Sequence, residues 1–94
     1  MYIDIGDIAR MGERSVEELE RLVEYMACNL VDDPDSVSVS SSKRGQLITI
    51  HLSVPSDEMG KVIGRQGRIA RSMRTLLNIA ASRRGVRASL DIDD

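Results

Sequence analysis

Ten residues, Gly60, Lys61, Val62, Ile63, Gly64, Arg65, Gln66, Gly67, Arg68 and Ile69, constrain this chain more than any other stretch. Gly64 and Gly67 bracket two long polar side chains, so the backbone can turn tightly between the end of one helix and the start of the next. Amide groups at the start of the second helix then face outward toward an anion, for which a nucleic-acid phosphate is the natural choice. With seven glycines in 94 residues, about 0.5 glycine pairs at this spacing are expected by chance, so the setting must supply the specificity.

Charge is the first part of that setting. The chain carries a formal net charge of −2, which taken alone argues against a nucleic-acid binder. Its distribution reverses this. Between Gly60 and Arg87 stand Lys61, Arg65, Arg68, Arg71, Arg74, Arg83, Arg84 and Arg87 with no Asp or Glu, so this segment carries +8 and the remainder −10. Such a split concentrates positive potential on one part of a weakly acidic molecule.

The glycine loop also has a definite place in the order of elements. Residues 1–14 mix Ile3, Ile5, Ile8 and Met11 with Asp4, Gly6, Asp7 and Gly12, too irregularly to assign to helix or strand; we expect an extension, with a docked strand as one option. Ser15 and Glu18 form a capping box. From there Val16, Leu19, Leu22, Val23, Met26, Ala27 and Leu30 recur at helical spacing, which predicts an amphipathic helix over 16–31. Asp32 and Asp33 then crowd the unfavourable end of its dipole, a conflict with no local explanation. Val37 and Val39 alternate with serines, residues 42–45 supply a turn, and Ile48, Ile50, Leu52 and Val54 alternate with Leu47, Thr49, His51 and Ser53, which predicts a hairpin. After Pro55, Ser56 can cap a short helix through Ile63. Beyond Gly67, Ile69, Met73, Leu76, Leu77 and Ala80 share one helical sector, which runs to about Arg84. Gly85 can end that helix, and Val86, Ala88, Leu90 and Ile92 alternate as a third strand. Three half-apolar strands covered by three amphipathic helices make one two-layer α+β domain in the order α-β-β-α-α-β.

At this point the residues resemble a known family. Val62, Ile63, Gly64, Arg65, Gln66, Gly67, Arg68 and Ile69 look like the KH-domain signature, in which a GXXG loop clamps about four backbone nucleotides. The order of elements is similar to the type II, bacterial KH topology, a three-stranded sheet with helices packed on one face. The segment Leu30, Val31, Asp32, Asp33 and Pro34, with the basic stretch, resembles the small single-domain KhpA-type proteins of bacteria over residues 15–94. The departure is residues 1–14, which precede the usual family start. The resemblance implies a cytoplasmic, single-stranded-RNA-binding protein acting in post-transcriptional regulation, as a homodimer or as a heterodimer with a larger Jag-type KH protein. Residue by residue, it implies that Gly64 and Gly67 let the RNA backbone approach, that Arg65 and Gln66 project toward it, and that Lys61, Arg68 and Arg71 add phosphate contacts. Val62, Ile63 and Ile69 match apolar positions of the signature. Their amphipathic spacing already accounts for them as core, with Ile63 also a candidate contact.

Other functions find little support. The only aromatics are Tyr2 and Tyr25, so the stacking platforms of RRM-like and OB-like surfaces are missing and a backbone clamp fits better. Without stacking each domain binds weakly, and pairing two domains on one strand would raise the affinity. The single histidine, His51, has no metal-ligand cluster nearby. Cys28, the single cysteine, falls beside core positions, and Asp91, Asp93 and Asp94 read as a solvated end. We expect no enzymatic activity, cofactor or metal. No apolar run approaches the roughly 20 residues that span a bilayer, and Asp4 and Asp7 stand where a secretory signal needs basic residues, so we expect a cytoplasmic protein. The competing reading is an adaptor, with the helix pair around the loop serving chiefly as a dimer or heterodimer interface.

Overall fold

The structure, a computed structural model, describes the backbone of residues 5–94 and the side chains of residues 14–94. Helix α1 spans Ile5–Cys28, strand β1 Ser38–Arg44, β2 Leu47–Ser53, helix α2 Met59–Ile63, helix α3 Arg68–Arg83 and strand β3 Arg87–Asp93, with short 3-10 turns at Pro34–Ser36, Ser56–Glu58 and Arg65–Gly67. This is the expected α-β-β-α-α-β order.

The three strands form one sheet in the order β1-β2-β3. β1 and β2 pair antiparallel through Ser41 opposite Ile50, whereas β2 and β3 pair parallel through Ile50 opposite Leu90. Parallel neighbours require a crossover, and α2, the glycine loop and α3 are that crossover. The period-2 alternation of β2 turns Ile48, Ile50 and Leu52 inward, each fully buried and contributing about 1.5–3 kcal/mol. Thr49 and His51 face the uncovered side of the sheet. The inward face meets Leu19, Val23 and Ala27 of α1 and Met73, Leu77 and Ala81 of α3 in a single core.

Five local expectations change. First, α1 starts at Ile5, so the strand option for the first residues fails over 5–14; residues 1–4 lie outside the described part. Ser15 is consequently inside the helix and the capping box is not its start. Second, α1 ends at Cys28, not residue 31, and Asp32 and Asp33 belong to the following loop. The side chain of Asp33 accepts from the Asp35 amide at 3.1 Å and caps the 3-10 turn at Pro34–Ser36, so neither acid burdens the dipole of α1. Third, β1 continues through Ser42, Lys43 and Arg44, leaving Gly45 and Gln46 as a two-residue link. Ser56 does not cap α2; it starts a 3-10 turn that precedes it.

The last change is rotational. The buried stripe of α3 is Ala70, Met73, Leu77 and Ala81, not the expected stripe through Leu76 and Ala80. Ala70 and Ala81 let α3 lie close to its neighbours, and helical periodicity weighted toward large side chains overlooks them. Ala80 and Ile69 are left at the margin of the core, and Leu76 is 51% exposed. At its far end α3 closes with two bonds, Gly85 N–H to Ser82 O and Val86 N–H to Ala81 O, both 3.1 Å, the Schellman pattern that directs the chain into β3.

Candidate nucleic-acid interface

The glycine loop is built by backbone geometry that few residues can adopt. Gly64 ends α2 with φ 76° and ψ 174°, a region essentially reserved for glycine. Gln66 follows at φ 58°, ψ 24°, and Gly67 at φ 74°, ψ 15° precedes α3 without any side-chain cap. Two bonds close the turn, Gly64 N–H to Gly60 O at 2.9 Å and Gly67 N–H to Gly64 O at 3.1 Å. A third comes from a side chain, since Arg71 Nη2 donates to Gln66 O at 2.6 Å. The loop therefore stands preformed at the N-terminal, electropositive end of a 16-residue helix.

The candidate contacts separate into four groups, the last of them Lys61 alone. Arg65, Gln66 and Arg68 are exposed, and their side chains form no hydrogen bond or ion pair with the described residues. Arg71 is exposed but spends one guanidinium nitrogen on the loop, so it positions the turn as well as adding charge. Val62, Ile63 and Ile69 are packing residues: Val62 is fully buried, and Ile63 and Ile69 lie partly buried against the core.

Lys61 is the candidate whose surroundings differ most from the expectation. Its ammonium donates to Asp32 Oδ2 at 2.6 Å and to Glu58 Oε1 at 2.9 Å. Glu58 is the one buried charged residue among those described. Its carboxylate accepts the amides of Asp32 at 2.9 Å and Asp33 at 3.2 Å as well. Hydrogen bonding from Lys61, then from the Asp32 amide, holds the Glu58 carboxyl down at about 2 against a partial opposing effect of burial. Asp32 and Glu58 in turn raise Lys61 to about 12. Residues 25 to 29 positions apart thus meet in a clasp that ties the segment after α1 to the entry of α2. It also accounts for Asp32 and Asp33, which present backbone amides to Glu58.

Residues outside the sequence-based set complete the surroundings. A groove of about 190 Å³ runs between α3 and β3, lined by Arg74, Leu77, Asn78, Ala88, Ser89 and Leu90. Arg74 lies six residues into α3, about 9 Å along the axis from its start, and its Nε and Nη2 each sit 3.4 Å from Leu90 O. Because β3 is an edge strand, one side of its backbone is open to pairing. The basic spacing Arg68, Arg71, Arg74 was the available signal for Arg74. Nothing local marks Ser89 or Asn78. On the other flank of α3 a depression of about 420 Å³ is lined mainly by apolar atoms of Tyr25, Met26, Leu30, Ile69, Met73 and Leu76.

His51 lies on the uncovered sheet face, with Nε2 3.3 Å from Ser42 Oγ and Nδ1 3.6 Å from Asp91 Oδ2; both partners are exposed, so this row is open to water. Cys28 is half-buried, its thiol 3.8 Å from Pro34 O, and burial, then Glu24 and Asp35, push its pKa up, away from the reactive thiolate. Among the described residues no cluster of His, Cys, Asp and Glu is spaced to hold a metal, and no helix is long and apolar enough to cross a membrane.

The chain is similar to known proteins over most of its length. The family model described as KhpA/KhpB, KH domain matches residues 20–92. A protein of Halalkalibacterium halodurans named RNA-binding protein KhpA is 47% identical over 76 residues, covering 81% of this chain and 100% of that protein. Proteins of the same name from Treponema pallidum and Streptomyces coelicolor are 45% and 44% identical, each covering 80% of this chain, with 94% and 95% of those proteins. In structure, Era of Aquifex aeolicus superposes with a TM-score of 0.58 at 16% identity over 79% of this chain, which spans only 29% of that protein. Era in complex with MgGDPNP and a 16S ribosomal RNA segment gives a TM-score of 0.52 at 17% identity over 80% of this chain and 29% of that one. These two likenesses bear on the fold alone.

Proposed function

Because the chain belongs to the KhpA/KhpB family of KH domains, we propose that it binds single-stranded RNA, gripping the backbone at the Gly64–Gly67 loop. The observation that carries this reading is the loop itself: a strained, preformed turn whose two central side chains, Arg65 and Gln66, are exposed and unengaged at the start of α3. Preorganisation matters because a fixed turn does not have to be ordered on binding. The RNA backbone crosses the loop, where Arg65 and Arg68 neutralise phosphates. Neighbouring bases follow α3 into the groove beside β3, where the open strand edge and Asn78 offer hydrogen bonds. No step requires chemistry on the RNA, so the protein acts as a binder and not an enzyme.

In this reading residues 15–94 are the domain and residues 1–14 an extension, the setting is the cytoplasm, and the role is post-transcriptional regulation. Weak single-site binding without aromatic stacking favours pairing two domains on one RNA, either as a homodimer or with a larger Jag-type KH protein. One observation favours a contribution from the adaptor reading: Leu76 and Ile79 on α3 and Tyr25 on α1 are large apolar side chains left exposed. They offer an association surface on the flank of α3 opposite the β3 groove.

The test replaces Arg65 and Gln66 together by Asp, verifies the fold by circular dichroism, and titrates single-stranded RNA at several salt concentrations. Two anions beside phosphate should lower affinity at least tenfold and flatten the salt dependence. Unchanged RNA binding accompanied by altered self-association would overturn the clamp in favour of the adaptor.

A further inference from the structure

The clasp at Lys61 has a functional side. Lys61 lies three residues before Gly64, its ammonium drawn back to Glu58 at the entry of α2, and 40% of its side chain is exposed. It is thus a cation at the foot of the RNA-gripping turn, yet it is already held by two carboxylates of unlike kind. Glu58 is buried and committed, its two oxygens also accepting the Asp32 and Asp33 amides. Asp32 has its side chain 85% exposed, and among the described residues its carboxylate bonds only to Lys61. The exposed Asp32 carboxylate thus neutralises a cation that would otherwise be open to another anion.

We propose that Asp32 is an internal competitor for RNA phosphate: RNA draws the Lys61 ammonium away from Asp32, while Glu58 keeps it anchored to the fold. This rests on the loop being the RNA site and goes beyond it by assigning an affinity-limiting role to an acid outside the loop. The physical basis is an exchange of anions. Glu58 cannot release Lys61 without leaving a buried carboxylate short of a partner. Asp32 can, because water solvates it fully once the ammonium leaves. Each RNA bound must then offset the loss of that pair, which lowers affinity.

The experiment compares Asp32→Ala with Asp35→Ala, each also in a Lys61→Ala background, in full-length protein binding to a short single-stranded RNA. The backbone amide of Asp32 still reaches Glu58 after the side chain is removed, so the fold survives, as thermal melting would verify. Asp32→Ala should tighten binding about two- to fivefold and leave the salt dependence close to that of the wild type, because Lys61 meets phosphate in both complexes. Asp35→Ala should give a smaller gain, and the gain from Asp32→Ala should vanish when Lys61 is Ala. An equal gain from both aspartates, or one that persists without Lys61, would mean only a general change of field and would overturn the proposal. No change with Asp32→Ala would overturn it too. If the Arg65 and Gln66 double variant still loses binding in that case, the loop reading stands; if it does not, that reading fails first.

Discussion

Gly64 lies so close to Ile69 that a Cβ atom built on the glycine would stand 2.5 Å from Ile69 Cγ1 and 2.9 Å from both Cβ and Cδ1. The glycine is needed for its φ of 76° and also for the room it leaves to the first apolar residue of α3. Gly67 differs: a Cβ there would meet only the Arg71 guanidinium at 3.9 Å. Gly64→Ala should therefore destabilise the domain by about 2–4 kcal/mol through strain and overlap. Gly67→Ala should cost about 1–2 kcal/mol through its left-handed backbone alone. Urea melts of the two variants measure the difference, and equal losses would show that the Ile69 contact yields.

The clasp around Glu58 makes stability depend on acid. Its carboxyl sits at about 2 in the fold against an ordinary 4.5, so its contribution is complete above about 4.5 and fades as the pH falls through 2. Wild type should exceed Glu58→Gln in stability at pH 7, and the gap should narrow below pH 4.5. Lys61, raised from 10.5 to about 12, works in the opposite sense, its contribution fading as the pH climbs from 10.5 through 12. Denaturant melts across pH 2–8 would reveal the acid arm; a gap independent of pH would show that the carboxylate charge is not what holds the clasp.

Leu76 and Leu77 are adjacent in sequence and opposite in environment, with Leu77 fully buried and Leu76 half exposed. Leu77→Ala should cost about 2–5 kcal/mol by opening a cavity in the core. Leu76→Asp should stay within about 0.5 kcal/mol, as expected for the surface, yet weaken any association through the α3 flank. Melting and sedimentation of both variants distinguish the two effects.

Arg71 holds the loop through Gln66 O at 2.6 Å. Arg71→Lys keeps the charge but loses the planar reach of the guanidinium. It should preserve the salt dependence of RNA binding, lower affinity about two- to fivefold, and speed hydrogen exchange at the Gln66 and Gly67 amides. Unaltered exchange would show that the loop holds its shape without this bond.

The alternation in Leu47–Ser53 and the heptad-like spacing from Val16 to Leu30 suffice to identify β2 and the packed part of α1, because strand and helix periods are local properties of neighbouring residues. The glycine pair and the acid-free basic segment are local in the same way, and they placed Gly64, Arg65, Gln66 and Gly67 in one loop. Ser15 misleads for a related reason: a capping box is a local pattern, and the helix passes through it from Ile5. The groove beside β3 had no such pattern, since Asn78 and Ser89 come together only when α3 packs on the sheet.

By itself, then, the sequence determined the order of elements, the position of the loop and the segregation of charge, all set by spacings of a few residues. Only the tertiary structure decided which side of α3 is buried, because that depends on what α1 and β3 place against it. It also decided the setting of Lys61, a phosphate contact by family resemblance and a clasped side chain in the fold. Its partner Asp32 is 29 residues away, and an ion pair across that distance exists only after the chain has closed.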